Sequence, residues 1–166
     1  IRPKDGRVAL VTGAGRGIGR AIAVRLAADG ARVMAVARTA DELSGLAAET
    51  GAEWFADTVA TPAGCERIVA ETERRFGRID ILVNNAGGTV PSPHAEDVPE
   101  LVQRIQGAPR GGDDYERTVL FHAFAIQMNL ISPLWFAIRV FRQMRDQDGT
   151  GSIINISSGA GHPAGS

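Results

Sequence analysis

The sequence predicts an α/β fold of three layers, α/β/α, in which a doubly wound parallel sheet lies between two layers of helices. One reason is the presence of short, unbroken apolar runs such as residues 8–11, because a parallel strand covered on both faces needs apolar side chains on both sides. These runs alternate with longer segments in which apolar residues recur at helical spacing. Strand and helix therefore follow each other along the chain, as in sheets built from strand–helix–strand units.

Local signals place the individual elements. Predicted strands cover residues 8–11, 31–37, 53–56 and 79–83, with a fifth strand ending ahead of residue 155. Predicted helices cover residues 18–29, 41–49, 62–76 and 118–144. Gly30 ends the first helix, while Pro62 suits the first turn of the third helix and Gly77 its exit. In the long last helix, Pro133 is expected to cause a mild kink.

The loop between the first strand and the first helix is rich in glycine, which permits a tight turn and a close approach of the backbone to a ligand. A helix that begins at such a loop directs free N–H groups and the positive end of its dipole outward, which suits a pyrophosphate. Because the loop lies within a complete strand–helix–strand unit, it predicts a dinucleotide site rather than a merely structural turn. The candidate cofactor-binding residues of this loop are Gly13, Gly15, Arg16, Gly17, Ile18 and Gly19.

The ends of the second and third strands bear on which dinucleotide binds. An acidic residue beyond the glycines would hydrogen-bond the ribose hydroxyls of NAD, but Ala37 takes that place, followed by Arg38 and Thr39. Arg38 can pair with a 2′-phosphate, with Arg16 as a second positive charge and Thr39 as a hydroxyl donor. We therefore favour NADP(H) as the coenzyme, with NAD(H) as the alternative. Arg38 could instead be a solvated residue that opens the next helix and binds no phosphate. Asp57, after the third strand, has two open roles, a contact to the adenine edge or a cap of the local turn.

Composition and charge exclude several classes of protein. With 166 residues, of which 44% are hydrophobic and 22% charged, the chain has the composition of one globular domain. The formal net charge of −1 provides no electrostatic reason to expect nucleic acid as a partner. We also expect no membrane partner, on the view that no uncharged apolar run approaches bilayer-spanning length. The single cysteine, Cys65, excludes an internal disulfide, favours a reducing, cytoplasmic compartment and is expected to be a packing residue.

Three motifs together indicate a family. Thr12, Gly13, Gly17 and Gly19 match the pattern T-G-x-x-x-G-x-G, residues 84–87 read Asn-Asn-Ala-Gly, and residues 155–158 read Asn-Ile-Ser-Ser. Over nearly its whole length the chain resembles a compact short-chain dehydrogenase/reductase, of the kind that includes the 3-oxoacyl carrier-protein reductases. The resemblance implies a Rossmann fold and hydride transfer between a nicotinamide coenzyme and a ketone or secondary alcohol. It also implies that Asn85, Ala86 and Gly87 lie beside the cofactor.

The catalytic group of that family is an Asn, a Ser, a Tyr and a Lys, of which two match by position. The resemblance implies that Ser158 hydrogen-bonds the reacting oxygen and that Asn129 positions a water for proton relay. The Tyr-x-x-x-Lys motif is missing, because Tyr115 precedes Ser158 and is followed four residues later by Val119. We therefore expect residues 1–166 to be one incomplete dinucleotide-binding domain, the front part of a longer enzyme, without its last strands and inactive alone.

The resemblance further implies a small carbonyl or alcohol substrate and a homodimer or homotetramer. The helix at 118–144 would form the interface, because its apolar residues extend around most of its circumference. Two other functions are alternatives to the oxidoreductase. One is a non-catalytic dinucleotide-binding or interaction module, and the other is a methyltransferase with a similar glycine loop, for which the Asn-Asn-Ala-Gly and Asn-Ile-Ser-Ser motifs have no use.

Residues 89–115 form an insertion relative to the family pattern, rich in proline and glycine. We expect it to form a lid or a rim of the substrate pocket, with a short amphipathic helix at 98–105, the alternative being a solvent-exposed excursion. His94 and His122 lack metal-ligand spacing with acidic partners, so no metal is expected.

Overall fold

A computed structural model describes residues 6–88, 115–147 and 149–157. The strands are β1 (Val8–Thr12), β2 (Arg32–Ala37), β3 (Glu53–Ala56), β4 (Ile81–Asn84) and β5 (Ser152–Asn155). The helices are α1 (Gly17–Ala28), α2 (Ala40–Thr50), α3 (Pro62–Phe76), α4 (Tyr115–Ile126) and α5 (Ser132–Gln147), with a π-helical segment, Gln127–Ile131, between the last two. The insertion at 89–115 lies outside the described residues except for Tyr115, so its role as a lid stays a prediction.

The sheet has the strand order β3-β2-β1-β4-β5, and every pair of neighbours is parallel. The chain moves outward from β1 to β2 and β3 and then returns to the other side of β1 for β4 and β5. This reversal makes the carboxyl ends of β1 and β4 the topological switch point of a doubly wound sheet. The fold predicted from the sequence is confirmed.

Alternate residues of the strands pack on opposite faces of the sheet, which explains the unbroken apolar runs. On one face Ala9 and Val11 contact the cluster formed with α1 and α2, which includes Leu43. On the other face Leu10 belongs to a second cluster with α3 and α5, which includes Phe136. Helices therefore cover both faces, and the loops that carry function lie at the edges of the sheet.

The fourth strand begins later than the predicted 79–83, at Ile81. The carboxylate of Asp80 accepts a hydrogen bond from the N–H of Val8 at 2.8 Å, while its own N–H donates to the carbonyl of Val8 at 2.9 Å. Arg78 pairs with the same carboxylate at 2.6 Å. A side chain thus replaces the backbone acceptor at this position, and regular strand pairing starts one residue further on.

The predicted helix at 118–144 is not one regular helix. Its α-helical hydrogen bonding is interrupted at Gln127–Ile131, where the N–H of Ser132 donates to the carbonyl of Gln127, five residues back. Pro133 follows directly and has no N–H with which to continue the α-helical pattern. A π-helical turn therefore stands where a mild proline kink was expected.

The expectation that no uncharged apolar run approaches bilayer-spanning length is wrong. Residues 118–138 contain no Asp, Glu, Lys or Arg, and among the described residues the helix Phe121–Gln147 is long and apolar enough for a membrane span by length and composition. The core helix of a soluble protein meets the same criterion. One face of this helix packs on the sheet through the buried Phe136, and Arg139 pairs with Glu73 of α3 at 2.8 Å. Its other face leaves large apolar side chains exposed, among them Leu130 and Phe141.

Candidate active site

The candidate site lies at the carboxyl ends of β1 and β4, the switch point of the sheet. Thr12 ends β1 and Asn84 ends β4, and both side chains are buried. The loops that follow these strands are the glycine loop and residues 85–88. Sheet topology therefore brings two of the three sequence motifs together, although Thr12 and Asn85 are 73 residues apart in the chain.

The two loops are joined by hydrogen bonds of Thr12 and Asn85, which we call the Thr12–Asn85 network. The hydroxyl of Thr12 accepts hydrogen bonds from the N–H groups of Asn85 and Ala86, each at 3.1 Å, and it donates to the carbonyl of Val83 at 3.3 Å. The side-chain amide of Asn85 donates to the carbonyls of Thr12 at 3.1 Å and Gly13 at 3.2 Å. These bonds hold the glycine loop against the end of β4.

Two glycines are required by this close packing. Gly13 has φ of +67°, and a Cβ atom at that position would lie 2.9 Å from Cα of Ala86. A Cβ atom at Gly19 would lie within 3.0 Å of the backbone of Gly13. A side chain at either position would push the loop away from α1 and from residues 85–88.

The N-terminus of α1 opens towards this loop without a side-chain cap. Arg16 is the N-cap residue, its side chain makes no capping hydrogen bond, and the first turn contains no acidic residue. By contrast, α3 is capped by Thr61, whose hydroxyl accepts from the N–H of Gly64 at 3.0 Å. The start of α1 is exposed, with Ile18 having 64% of its surface accessible. Free N–H groups and an uncompensated dipole end are therefore available to an anion.

Arg16, Arg38 and Thr39, the residues predicted to select the coenzyme, are all exposed at this edge. The N–H of Ala14 donates to the carbonyl of Val36 at 2.9 Å, which ties the glycine loop to the end of β2. Arg38 follows β2 by one residue and is therefore held near the loop. Among residues 6–88, 115–147 and 149–157, neither Arg16 nor Arg38 has an ion-pair partner.

Asp57, half-buried, already has strong local partners. Its carboxylate accepts from the backbone N–H of Thr58 at 2.7 Å and from two nitrogens of Arg67, at 2.7 and 2.8 Å. These contacts are compatible with the local turn cap that was one of its two predicted alternatives. A contact to adenine would have to share the carboxylate with Arg67, and it stays a prediction.

Asn129 lies in the π-helical segment and binds the loop that follows β4. Its Oδ1 accepts from the N–H of Gly88 at 3.1 Å, while Nδ2 donates to the carbonyls of Gly88 and Ala125, both at 2.8 Å. A Cβ atom at Gly87 would lie 2.5 Å from Oδ1 of Asn129, so this residue also has no room for a side chain. The structure thus brings the predicted Asn129 next to residues 85–88.

The third motif follows β5. The side-chain amide of Asn84 donates to Oδ1 of Asn155 at 2.9 Å and to the carbonyl of Pro133 at 3.3 Å, linking β4, β5 and α5. Asn155 aligns with Asn84 in the sheet, so the segment after it begins at the same edge as the rest of the site. Ser158 itself lies outside the described residues, and its role stays a prediction.

Sequence reasoning missed one charged side chain at this edge. The carboxylate of Glu42, in the first turn of α2, lies directly against Gly15 of the glycine loop. Its signal in the sequence was too weak to find, because it follows the end of β2 by five residues and resembles an ordinary acidic residue at a helix N-terminus.

The other titratable candidates do not join the site. Cys65 is buried on α3, and burial raises the pKa of its thiol from 9.0 to about 12, so it behaves as a packing residue. Within the described parts of the chain no group of three or more His, Cys, Asp and Glu residues is placed to hold a metal ion. His122 instead lies 2.7 Å from the carbonyl of Thr118 through Nδ1, and His94 lies outside the described residues.

A family model described as short chain dehydrogenase matches residues 7–166. The chain belongs to the short-chain dehydrogenase family. It is 34% identical to the 1,6-dihydroxycyclohexa-2,4-diene-1-carboxylate dehydrogenase of Pseudomonas putida over 164 residues, which cover 93% of this chain and 51% of that protein. It is 45% identical to the 3-oxoacyl-acyl-carrier-protein reductase FabG of Escherichia coli (strain K12) over 87 residues, covering 51% of this chain and 36% of that protein.

Among solved structures, this short-chain dehydrogenase is similar to a 7α-hydroxysteroid dehydrogenase complexed with NADH and 7-oxo glycochenodeoxycholic acid. The TM-score is 0.75 and the sequence identity 28%, over 98% of this chain and 57% of that one. The chain spans about half the length of the curated relatives and solved structures it matches. The family predicted from the three motifs is confirmed.

Proposed function

We propose that this chain is the coenzyme-binding part of an NAD(P)H-dependent oxidoreductase that interconverts a ketone and a secondary alcohol. The observation that carries the proposal is the uncapped N-terminus of α1 below a glycine loop whose shape excludes side chains at Gly13 and Gly19. A nicotinamide dinucleotide fits this arrangement, because its pyrophosphate needs both close backbone approach and free N–H groups. When bound, the coenzyme supplies or accepts the hydride.

The site residues divide between holding the coenzyme and holding the reacting oxygen. The N–H groups that open α1, at Gly17 and Ile18, would bind the pyrophosphate, and the Thr12–Asn85 network keeps the loop in place for it. Ser158 would donate a hydrogen bond to the substrate oxygen and stabilise the negative charge that develops there. A Tyr and a Lys that follow residue 166 in the full-length enzyme would exchange the proton with that oxygen.

Asn129 is proposed as a positioning residue near this oxygen. Its amide is engaged with both backbone groups of Gly88, so it fixes the end of the Asn-Asn-Ala-Gly segment relative to the π-helical turn. The predicted role in orienting a water for proton relay requires that the same segment stay in place. The proposed role of Asn129 is therefore supported by the position of its side chain, between residues 85–88 and the π-helical segment.

NADP(H) is the proposed coenzyme, with NAD(H) as the alternative. Arg38 and Arg16 are exposed beside the glycine loop, without an ion-pair partner among the described residues, and Thr39 adds a hydroxyl. The 2′-phosphate of NADP(H) would provide these two arginines with an anionic partner. Arg38→Asp should reverse the preference, and equal affinity of the unaltered enzyme for the two coenzymes would contradict it.

We further propose a homodimer or homotetramer that forms through the exposed face of α4 and α5. Large apolar side chains on this face are exposed at helical spacing, namely Ile126, Leu130, Leu134, Ile138 and Phe141. Exposed apolar surface of this extent is typical of protein–protein contacts. Sedimentation of the full-length enzyme tests this proposal, with Leu134→Glu expected to shift it towards the monomer.

We propose one coenzyme-binding domain with an insertion at about 89–115 that borders the substrate, a small carbonyl compound or alcohol. The buried free cysteine Cys65 suits a cytoplasmic enzyme.

The proposal is tested on the full-length enzyme by calorimetry with NADPH and NADH and by NADPH oxidation with a panel of ketones. Ser158→Ala should lower kcat by about a hundredfold or more without changing coenzyme affinity. Ser157→Ala, which removes the neighbouring hydroxyl, is the matched control. Coenzyme binding without turnover of any ketone would favour the non-catalytic module, and absence of binding would refute the proposal altogether.

A further inference from the structure

The carboxylate of Glu42 occupies the space above Gly15 in the glycine loop. A Cβ atom at Gly15 would lie within 3.0 Å of Oε2 of Glu42, 3.1 Å from Cβ of Glu42 and 3.3 Å from Cβ of Ala37. Gly15 is buried, whereas residues 16–18, which follow it, are exposed. Glu42 therefore reaches from α2 across the end of β2 to the loop.

This position coincides with the expected place of the adenosine ribose. In dinucleotide folds an acidic residue at the end of the second strand hydrogen-bonds the ribose hydroxyls, and an arginine there accommodates a 2′-phosphate. Ala37 holds that strand position here, and it is also one of the groups that lie against Gly15. A carboxylate thus lies beside the loop where the ribose is expected, and it is contributed by the following helix.

Glu42 is half-buried, and within the described residues its carboxylate has no hydrogen-bond or ion-pair partner. Its neighbours along the chain are paired differently. Glu49, at the other end of α2, pairs with Arg20 of α1, and the carbonyl of Asp41 accepts a hydrogen bond from Ser44. Among the described residues, therefore, no ion pair neutralises the charge of Glu42.

We propose that Glu42 is a second determinant of coenzyme choice and acts against Arg38. Its carboxylate accepts hydrogen bonds from the ribose hydroxyls of NAD(H) and repels the 2′-phosphate of NADP(H), while Arg38 attracts that phosphate. The enzyme accordingly uses both coenzymes, with a smaller preference for NADP(H) than Arg38 alone would produce. This inference rests on the proposed function, since it concerns the same coenzyme site.

The test is the ratio of the Kd of NADH to the Kd of NADPH, measured by calorimetry on the full-length enzyme at low ionic strength. Glu42→Gln keeps the size of the side chain and removes its charge, and it should raise this ratio by about threefold or more, as expected for unit charges several ångströms apart in a solvated site. The rise should shrink at high salt. Asp41→Asn is the matched control, because it removes the same charge from the same turn of α2, and it should change the ratio much less.

An unaltered enzyme that binds neither coenzyme refutes the proposed function itself. If both coenzymes bind and Glu42→Gln leaves the ratio unchanged, or weakens both equally, only the role of Glu42 is refuted. An equal effect of Asp41→Asn also refutes it, because it would indicate a general effect of net charge. Glu42→Ala serves as a second variant, and thermal unfolding of each variant shows that the fold is retained.

Discussion

Thr12→Val is the most direct perturbation of the Thr12–Asn85 network. Valine has nearly the same shape as threonine and differs by a methyl group in place of the hydroxyl. The hydroxyl of Thr12 is buried and takes part in three hydrogen bonds, accepting from the N–H groups of Asn85 and Ala86 and donating to the carbonyl of Val83. The substitution therefore deprives three backbone groups of a partner at once.

The expected destabilisation follows from the count of these groups. Leaving one buried donor or acceptor unsatisfied costs about 1–3 kcal/mol. The N–H groups of Asn85 and Ala86 are only partly buried, so water can replace part of the loss, and the carbonyl of Val83 has a second acceptor site. Adding the lower values for the three groups, we expect the free energy of unfolding to fall by about 2–4 kcal/mol.

Urea unfolding of the full-length enzyme measures this change, with Thr12→Ser as the matched control. Serine keeps the hydroxyl and loses only a methyl group, so it should cost about 1 kcal/mol. Because the network positions the glycine loop, Thr12→Val should also weaken coenzyme binding, and Thr12→Ser should weaken it much less. A valine variant within about 0.5 kcal/mol of the unaltered enzyme would refute the reasoning, because surface substitutions alone change stability by that much.

Three other substitutions or conditions have defined outcomes. Gly19→Ala should lower the free energy of unfolding in urea by about 2 kcal/mol or more, because its Cβ would meet the backbone of Gly13. Gly45→Ala, on the open face of α2, is the control and should raise it by about 0.5–1 kcal/mol. A similar effect of both substitutions would contradict the close packing at Gly19. Burial raises the pKa of the Cys65 thiol from 9.0 to about 12, so the stability that depends on the neutral thiol is complete below pH 9 and is lost as the pH rises from 9 towards 12. The free energy of unfolding of Cys65→Ala should therefore depend less on pH in this range. An unchanged pH dependence of the variant's stability would contradict this prediction. Asn129→Leu should lower kcat about tenfold or more with little change in the Kd of the coenzyme, because Gly88 loses both of its hydrogen bonds to the side chain. Unchanged steady-state kinetics would show that Asn129 has no role in the reaction.

Much of the fold was predictable because its signals are local. The buried parallel strands appear as unbroken apolar runs, and the α3 helix carries its own start and stop signals, Pro62 at its beginning and Gly77 after its end. The predictions failed where a distant group changed a local preference. Asp80 displaces the start of β4 because its carboxylate binds Val8, which lies seventy-two residues away in the sequence. The π-helical turn before Pro133 was likewise expected only as a kink.

The candidate site, like the fold, could be predicted from the sequence only in part. The glycine loop and residues 84–87 were recognisable as motifs, and so were the predicted positions of Asn129 and Ser158. Their mutual contacts were not, because hydrogen bonds such as those between Thr12 and Asn85 join segments that meet only after the sheet has formed. Glu42 was missed for the same reason.

By itself the sequence determined the alternation of strand and helix, the dinucleotide loop and the family, since each is written in residues close together along the chain. The tertiary structure alone decided which loops share one edge of the sheet, which glycines have no room for a side chain, and which carboxylate lies on the loop. The physical reason is that the order of parallel strands is set by packing helices on both faces of the sheet, so residues far apart in sequence come into contact at the ends of neighbouring strands.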